Sequence, residues 1–253
     1  MCGSEERSVQ LGHEYGVDFY SNQQAGSHRS AQRLVPWLCD LLRPKSVLDV
    51  GCGVGTWLRA FKETGIEDFL GLDGEYVRRD QLQIPAAQFL AQDLTLPFRL
   101  DRKFDLVVSL EVAEHLPPEA ARGFVASLCA HAPFVLFSAA IPGQGGTHHV
   151  NEQWPGYWID LFADCSFALH DCIRPMLWTD DEVEFWYAQN ALLFRKADLP
   201  LPLGMVTLPS FQGMPLAHPR AWAEKTAPRA VSWRQIAGDI RERLKRVLQP
   251  QGD

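Results

Sequence analysis

Two glutamates and three histidines stand at chemically useful spacings in this 253-residue chain. Glu111, Glu114 and His115 form an E-x-x-E-H run, and His148 and His149 follow within GQGGTHHVNEQWPGYW (143–158). An imidazole takes a proton near neutral pH, so His149, His148 or His115 can act as a base on a hydroxyl acceptor, with Glu111 in the same pocket. On one turn of helix, positions i, i+3 and i+4 share a face. Glu111, Glu114 and His115 can therefore also converge on a divalent cation, with His148 or His149 completing the set. The plainer alternative for the histidine pair is that one packs or hydrogen-bonds locally while the other faces solvent. Within the pair His149 is favoured, because VNEQW leads into a helix that Asn151 can cap and Pro155 can open.

A second chemical signal lies upstream, in VLDVGCGVGTWL (47–58). Asp49 precedes Gly51, Gly53 and Gly55, and glycines let backbone approach a ligand closely. Asp73 ends the next strand-like run, eighteen residues after Gly55, where a carboxylate can accept both ribose hydroxyls of a nucleoside. The spacing is GxGxG, not the GxGxxG of dinucleotide sites, which weakens any reading as a pyrophosphate-binding helix start.

These residues need a scaffold, and the chain supplies an alternating one. A helical pattern over 30–42, with Pro36 as a kink or late start, leads to the strand SVLDV and the helix after the glycines. The spacing then predicts strand 69–73, helix 75–82, strands 87–93 and 104–110, helix 118–131 and strand 134–140. WIDLFADC reads as a helix, and 167–175 and 186–195 read as antiparallel strands at the sheet edge. Continuous apolar strands separated by helices predict an α/β, doubly wound, mostly parallel seven-stranded sheet covered on both faces. The expected divisions are an N-terminal segment or lid (1–29) with Tyr15, Phe19 and Tyr20, a main domain (30–198), a Pro-rich linker (199–228) and an amphipathic helix (229–248). That last helix, basic on its other face, would dock on its own domain or on a second copy as a homodimer, ahead of a membrane surface.

Composition narrows the function classes. A net charge of −7 disfavours broad nucleic-acid binding, which needs Lys and Arg against phosphates. The six cysteines form no CxxC pair and read as reduced core thiols. No apolar run approaches the roughly 20 residues of a membrane span, and MCGSEERSVQ is no signal sequence, so the expected location is the cytoplasm.

With Asp49, the glycine loop and Asp73 in order, the chain resembles the class I S-adenosylmethionine-dependent methyltransferases over residues 30–195. The resemblance implies a cofactor site of Asp49, Gly51, Cys52, Gly53 and Gly55, with Asp73 and Gly74 at the ribose. It places Asp93 at the adenine amine, Leu94 beside the ring and Leu110 at the end of the fourth strand, where FDLVVSLEVAEHL (104–116) matches that family's motif. SLEVAEHL together with IPGQGGTHHVNEQWP is similar to a bacterial group met near polysaccharide or secondary-metabolite genes. Ubiquinone-pathway and small-RNA 3′-terminal 2′-O-methyltransferases are similar in their E-x-x-E-H arrangement, which implies a metal; many class I relatives with the same run need none.

The resulting expectation is O-methylation of a small-molecule or glycan hydroxyl using a histidine base. Metal-assisted O-methylation, N- or carboxyl-methylation and a non-catalytic cofactor-binding scaffold are the alternatives. An NAD-dependent dehydrogenase is disfavoured by the glycine spacing. Trp154, Tyr157, Trp158, Trp178, Trp186 and Tyr187 are expected either in the core or as an aromatic wall over the acceptor.

Overall fold

The computed structural model of the chain describes residues 17–202 and 213–227. The predicted C-terminal helix, Tyr15 and residues 203–212 of the Pro-rich stretch lie outside the described residues. Seven strands form one sheet: β1 (Ser46–Val50), β2 (Asp68–Asp73), β3 (Phe89–Ala91), β4 (Leu106–Leu110), β5 (Phe134–Ser138), β6 (Phe167–His170) and β7 (Leu192–Lys196). Their order is β3-β2-β1-β4-β5-β7-β6. The first five are parallel, and β7 inserts antiparallel between β5 and β6.

Alternate residues of the central strands go to opposite faces, and both faces are dry. Leu106 and Val108 pack with Val47 and the helices α1 (Val17–Leu42) and α2 (Thr56–Glu63). Val107 packs with Leu48, Val50 and the helices α3 (Ala121–His131) and α4 (Pro155–Asp164). Two-sided burial is why the strands read as unbroken apolar runs, and each fully buried side chain of this kind contributes about 1.5–3 kcal/mol. Two short helices, α5 (Arg174–Leu177) and α6 (Phe185–Asn190), precede β7.

Several expected elements differ in kind or length. Residues 75–82 hold only a 3-10 turn at Arg79–Gln81, because the Gln83 amide reaches back to the Val54 carbonyl and Pro85 interrupts the chain. The third strand shrinks to three residues after a 3-10 turn at Ala86–Gln88. The predicted strand 186–195 is half helix: Tyr187, Ala188 and Gln189 bury as part of α6, and the strand begins only at Leu192. A short apolar run does not distinguish the two periods. Pro36 sits inside α1, which runs through from Val17, so Phe19 and Tyr20 fall in its first turns.

Residues Pro219–Asp253 form a separate unit, of which a single helix, α7 (Pro219–Thr226), is described. No helix among the described residues is long and apolar enough to cross a membrane.

Candidate active site

The functional side chains gather at the carboxyl ends of the parallel strands, where an open α/β sheet binds its ligands. At the end of β1 the chain turns through Gly51 (φ 83°), and the Gly51 and Cys52 amides both donate to the Leu72 carbonyl at 2.7 and 3.1 Å. A Cβ on Gly51 would meet Val112 at 2.3 Å, so packing alone accounts for that glycine. Gly53 (φ 53°) differs: a Cβ there would meet nothing within 4 Å. Its absence keeps open the space above the loop, as a close-lying ligand requires. Cys52 turns its thiol down over Gly71 and joins the core, leaving only its backbone to the loop surface.

Two carboxylates lie under this loop. Asp49 is buried, its Oδ2 has no hydrogen-bond partner, and burial followed by the charge of Asp73 pushes its pKa up to about 8. Asp73, also buried, accepts hydrogen bonds from the Gly53 amide on Oδ2 (2.7 Å) and from the Gly74 amide on Oδ1 (2.7 Å). Tyr76 donates its phenol to the same Oδ1. Asp93 is exposed, and its Oδ1 takes both the amide and the hydroxyl of Thr95, which lowers its pKa. Leu94, next to Asp93 in the chain, and Leu110, at the end of β4, are buried.

These features fit S-adenosylmethionine. Its ribose diol needs an acceptor such as Asp73, its ammonium and sulfonium are cations that would compensate the buried Asp49, whose Oδ2 has no partner, and the open surface over Gly53 admits its body.

A second cluster of polar side chains is built on the loops after β4 and β5. Glu111 leaves β4 in the left-handed region (φ 55°), its amide donating to both the carbonyl and the hydroxyl of Ser138 at 3.0 Å. A 3-10 turn follows at Ala113–His115. The helical turn expected over 111–115 is therefore broken at its first residue, and Glu111 does not share a face with Glu114 and His115. Instead its carboxylate accepts from Gln144 Nε2 (2.8 Å) and Asn190 Nδ2 (3.0 Å), with Gln189 closing the amide cluster through Gln144 and Asn190. Burial raises the Glu111 pKa, and the bonds from Asn190, Ser138 and Gln144 partly offset it.

Glu114, His115 and His149 do come together, one ligand atom from each lying within 4.8 Å of the others. Glu114 is fully buried, and neither of its carboxylate oxygens has a partner. Burial, then the charge of Glu111, raises its pKa well above the usual range. The imidazoles of His115 and His149 meet edge to face at 4.8 Å, and burial with the neighbouring His149 lowers the His115 pKa.

The loop itself separates the histidine pair. His148 is exposed with φ 58°, whereas His149 turns inward and presents Nδ1 to Glu152 Oε1 at 2.9 Å. The same carboxylate accepts the Gly143 and Gly145 amides, both at 2.7 Å, so one side chain shapes the loop and orients the imidazole. Gly146 leaves room for that ring: a Cβ there would lie 2.3 Å from His149 Nε2. Glu152, Gln144, Gln189, Asn190 and Tyr76 are the residues that sequence reasoning did not single out. Only Glu152 carried a local signal, an acid three positions after His149.

Asn151 is buried and accepts from Gln153 Nε2, and α4 starts at Pro155 behind Trp154 with no side-chain cap, so the expected capping role is not seen. Trp158 and Tyr187 belong to the core, Trp158 against Phe137 and Tyr187 against Trp57, which removes them from any aromatic wall. Trp154 is exposed. A groove of about 670 Å³ beside Arg99, Arg102, Lys103 and His131 lies at the opposite, amino-terminal ends of β4 and β5 and has no part in this site.

Comparison with known proteins agrees with this geometry. The chain is similar in fold to DesVI of Streptomyces venezuelae, with 19% identity and a TM-score of 0.52 over 71% of this chain and 95% of that one. It is similar to the sugar N-methyltransferase KedS8 of Streptoalloteichus sp., at 14% identity and a TM-score of 0.55 over 78% and 98%. It is likewise similar to the magnesium protoporphyrin IX methyltransferase of Synechocystis with bound S-adenosylhomocysteine, at 21% identity and a TM-score of 0.52 over 72% and 89%. No curated protein matches the sequence. Residues 22–158, more than half of the chain, match the family described as methyltransferase domain, and the protein belongs to that family, with the class I S-adenosylmethionine-dependent fold.

Proposed function

We propose that the enzyme transfers the methyl group of S-adenosylmethionine to a hydroxyl of a small molecule or glycan, with His149 accepting the proton. The observation that carries this reading is the 2.9 Å contact between His149 Nδ1 and Glu152 Oε1. A carboxylate at Nδ1 favours the proton there and leaves Nε2, which packs beside Gly146, as the acceptor nitrogen, the tautomer a general base needs. S-adenosylmethionine, when bound, would supply an electrophilic methyl group on a sulfonium, open to in-line attack by the acceptor oxygen with S-adenosylhomocysteine as the leaving group. Asp73 and Asp49 hold the donor, the glycine loop admits it, and His149 removes the hydroxyl proton as the new carbon–oxygen bond forms. His115, whose proton affinity is lowered by burial and by its neighbour, remains the neutral partner beside it.

The test is turnover with a panel of sugar, polyol and phenol acceptors at saturating S-adenosylmethionine. His149→Ala is expected to lose activity and His148→Ala to keep it; full activity in both ends the assignment. Amine methylation is distinguished by adding amino-sugar acceptors to the panel, since a neutral amine needs no strong base and His149→Ala would then be nearly silent with them. That outcome has a counterpart in the fold relative KedS8, a sugar N-methyltransferase.

A second reading is favoured by one observation, the fully buried Glu114 carboxylate with two unpartnered oxygens. A buried carboxylate aimed at two imidazoles fits a divalent cation, and a carboxylate behind His149 is the usual support for a ligating imidazole. Glu114, His115 and His149 would hold the ion, which would lower the acceptor's pKa. Activity that survives exhaustive chelation excludes it; loss restored by added magnesium, manganese or zinc favours it.

A further inference from the structure

The Asp73 carboxylate is already crowded. Gly53 donates to Oδ2, while Gly74 and Tyr76 donate to Oδ1. A carboxylate offers about four lone-pair sites, so three donors leave about one, and a ribose diol brings two. One donor must leave when a nucleoside binds.

The two amides are not free to go. Gly53 lies in a loop hooked to the Leu72 carbonyl through Gly51 and Cys52, and Gly74 is the residue next to Asp73 in the chain. Tyr76 is the mobile member: its side chain folds back over Gly74, where a Cβ would meet its ring at 2.2 Å, and the residue is 80% exposed. Rotation would carry the phenol into water, where its hydroxyl finds another partner.

Resting on the reading of Asp73 as the ribose acid, we propose that the Tyr76 hydroxyl occupies the place of a ribose hydroxyl on Asp73, and that its displacement weakens cofactor binding. Although the ring is exposed, desolvation of the hydroxyl where it meets the loop, then the hydrogen bond to Asp73, raises the phenol pKa, so the group remains a protonated donor throughout the neutral range. Because donor and product share the same ribose, the competition loosens both alike and speeds departure of S-adenosylhomocysteine after transfer. Gly74 takes part by being side-chain-free, since any larger residue would push the Tyr76 ring off the carboxylate.

The experiment is calorimetric titration of S-adenosylhomocysteine into the full chain and into Tyr76→Phe, with thermal melting to confirm that both are folded. Tyr76→Phe keeps the ring and removes only the competing donor. A net hydrogen bond of ordinary strength corresponds to binding about two- to tenfold tighter in the variant. Equal or weaker binding by a folded Tyr76→Phe overturns the proposal. Failure of both proteins to bind S-adenosylhomocysteine would refute the cofactor site itself, and the proposal with it.

Discussion

The two halves of the site are made by different means. On the proposed cofactor side, β1, β2 and β3 lead into backbone and acids at or just past the strand ends: Gly51, Gly53, Asp49, Asp73 and Asp93. On the acceptor side, the loops after β4 and β5 are held by side chains that meet across long stretches of chain, Glu111 with Asn190 and Gln144 with Gln189. The first arrangement suits a ligand of fixed shape. The second can be re-cut by changing a few polar residues without disturbing the sheet, which suits variation of the methyl acceptor.

If the halves are separable, variants on one side should leave the other intact. The largest effect is expected from His149→Ala, with turnover on a hydroxyl acceptor falling about 10²- to 10⁴-fold, the usual contribution of a general base. Affinity for S-adenosylhomocysteine, measured by calorimetry, should stay within about twofold. A parallel loss of cofactor affinity would break the division.

Glu152→Gln comes next. It retains donor and acceptor atoms but loses the charge that orients His149 and gathers the Gly143 and Gly145 amides. Turnover should fall about 10- to 100-fold, the range for residues that orient a functional histidine. The folded-state pKa of Glu152 is lowered, because the bonds from His149 and the two amides outweigh the opposing effect of burial. Its stabilising contribution is therefore present above the ordinary carboxylate range and lost as pH falls through the lowered value. The melting temperatures of the wild type and Glu152→Gln should converge in acid.

Asp49 has the opposite sign. Its folded pKa is raised to about 8, so unfolding releases its proton between about pH 4 and pH 8, and stability from this group falls as pH rises through that window. Asp49→Asn, a neutral isostere, should leave stability unchanged near pH 4. Near pH 8 it should be more stable than the wild type by about 1–3 kcal/mol in denaturant titration, the scale of an unsatisfied buried polar group, while binding cofactor less tightly. Equal stability at both pH values would mean that Asp49 is solvated or paired.

The same division explains what could be read from the sequence. The determinants of the proposed cofactor side are local in sequence: three glycines in five residues, an acid two positions before them and acids at or just past the ends of the next two strands. The acceptor side is only partly so. E-x-x-E-H was read with helical geometry, and the left-handed turn at Glu111 broke that spacing and sent its carboxylate to Asn190. Asn190 and Gln189 lie at the end of a run that resembled a strand and forms α6, so nothing local marked them as partners of Gln144. Trp158 and Tyr187 could not be assigned by type, because an aromatic that lines a pocket and one that fills a core look the same in sequence.

The central claim is that the loop at Gly51–Gly55 with Asp73 forms an S-adenosylmethionine site. Its most direct test is calorimetric titration of S-adenosylhomocysteine and of NAD into the wild type and Asp73→Asn. The account predicts that S-adenosylhomocysteine binds the wild type at one site per chain, that NAD does not bind, and that Asp73→Asn weakens the former at least about tenfold through the lost charge-assisted hydrogen bonds. Binding of NAD in its place, or S-adenosylhomocysteine binding indifferent to Asp73, would contradict it.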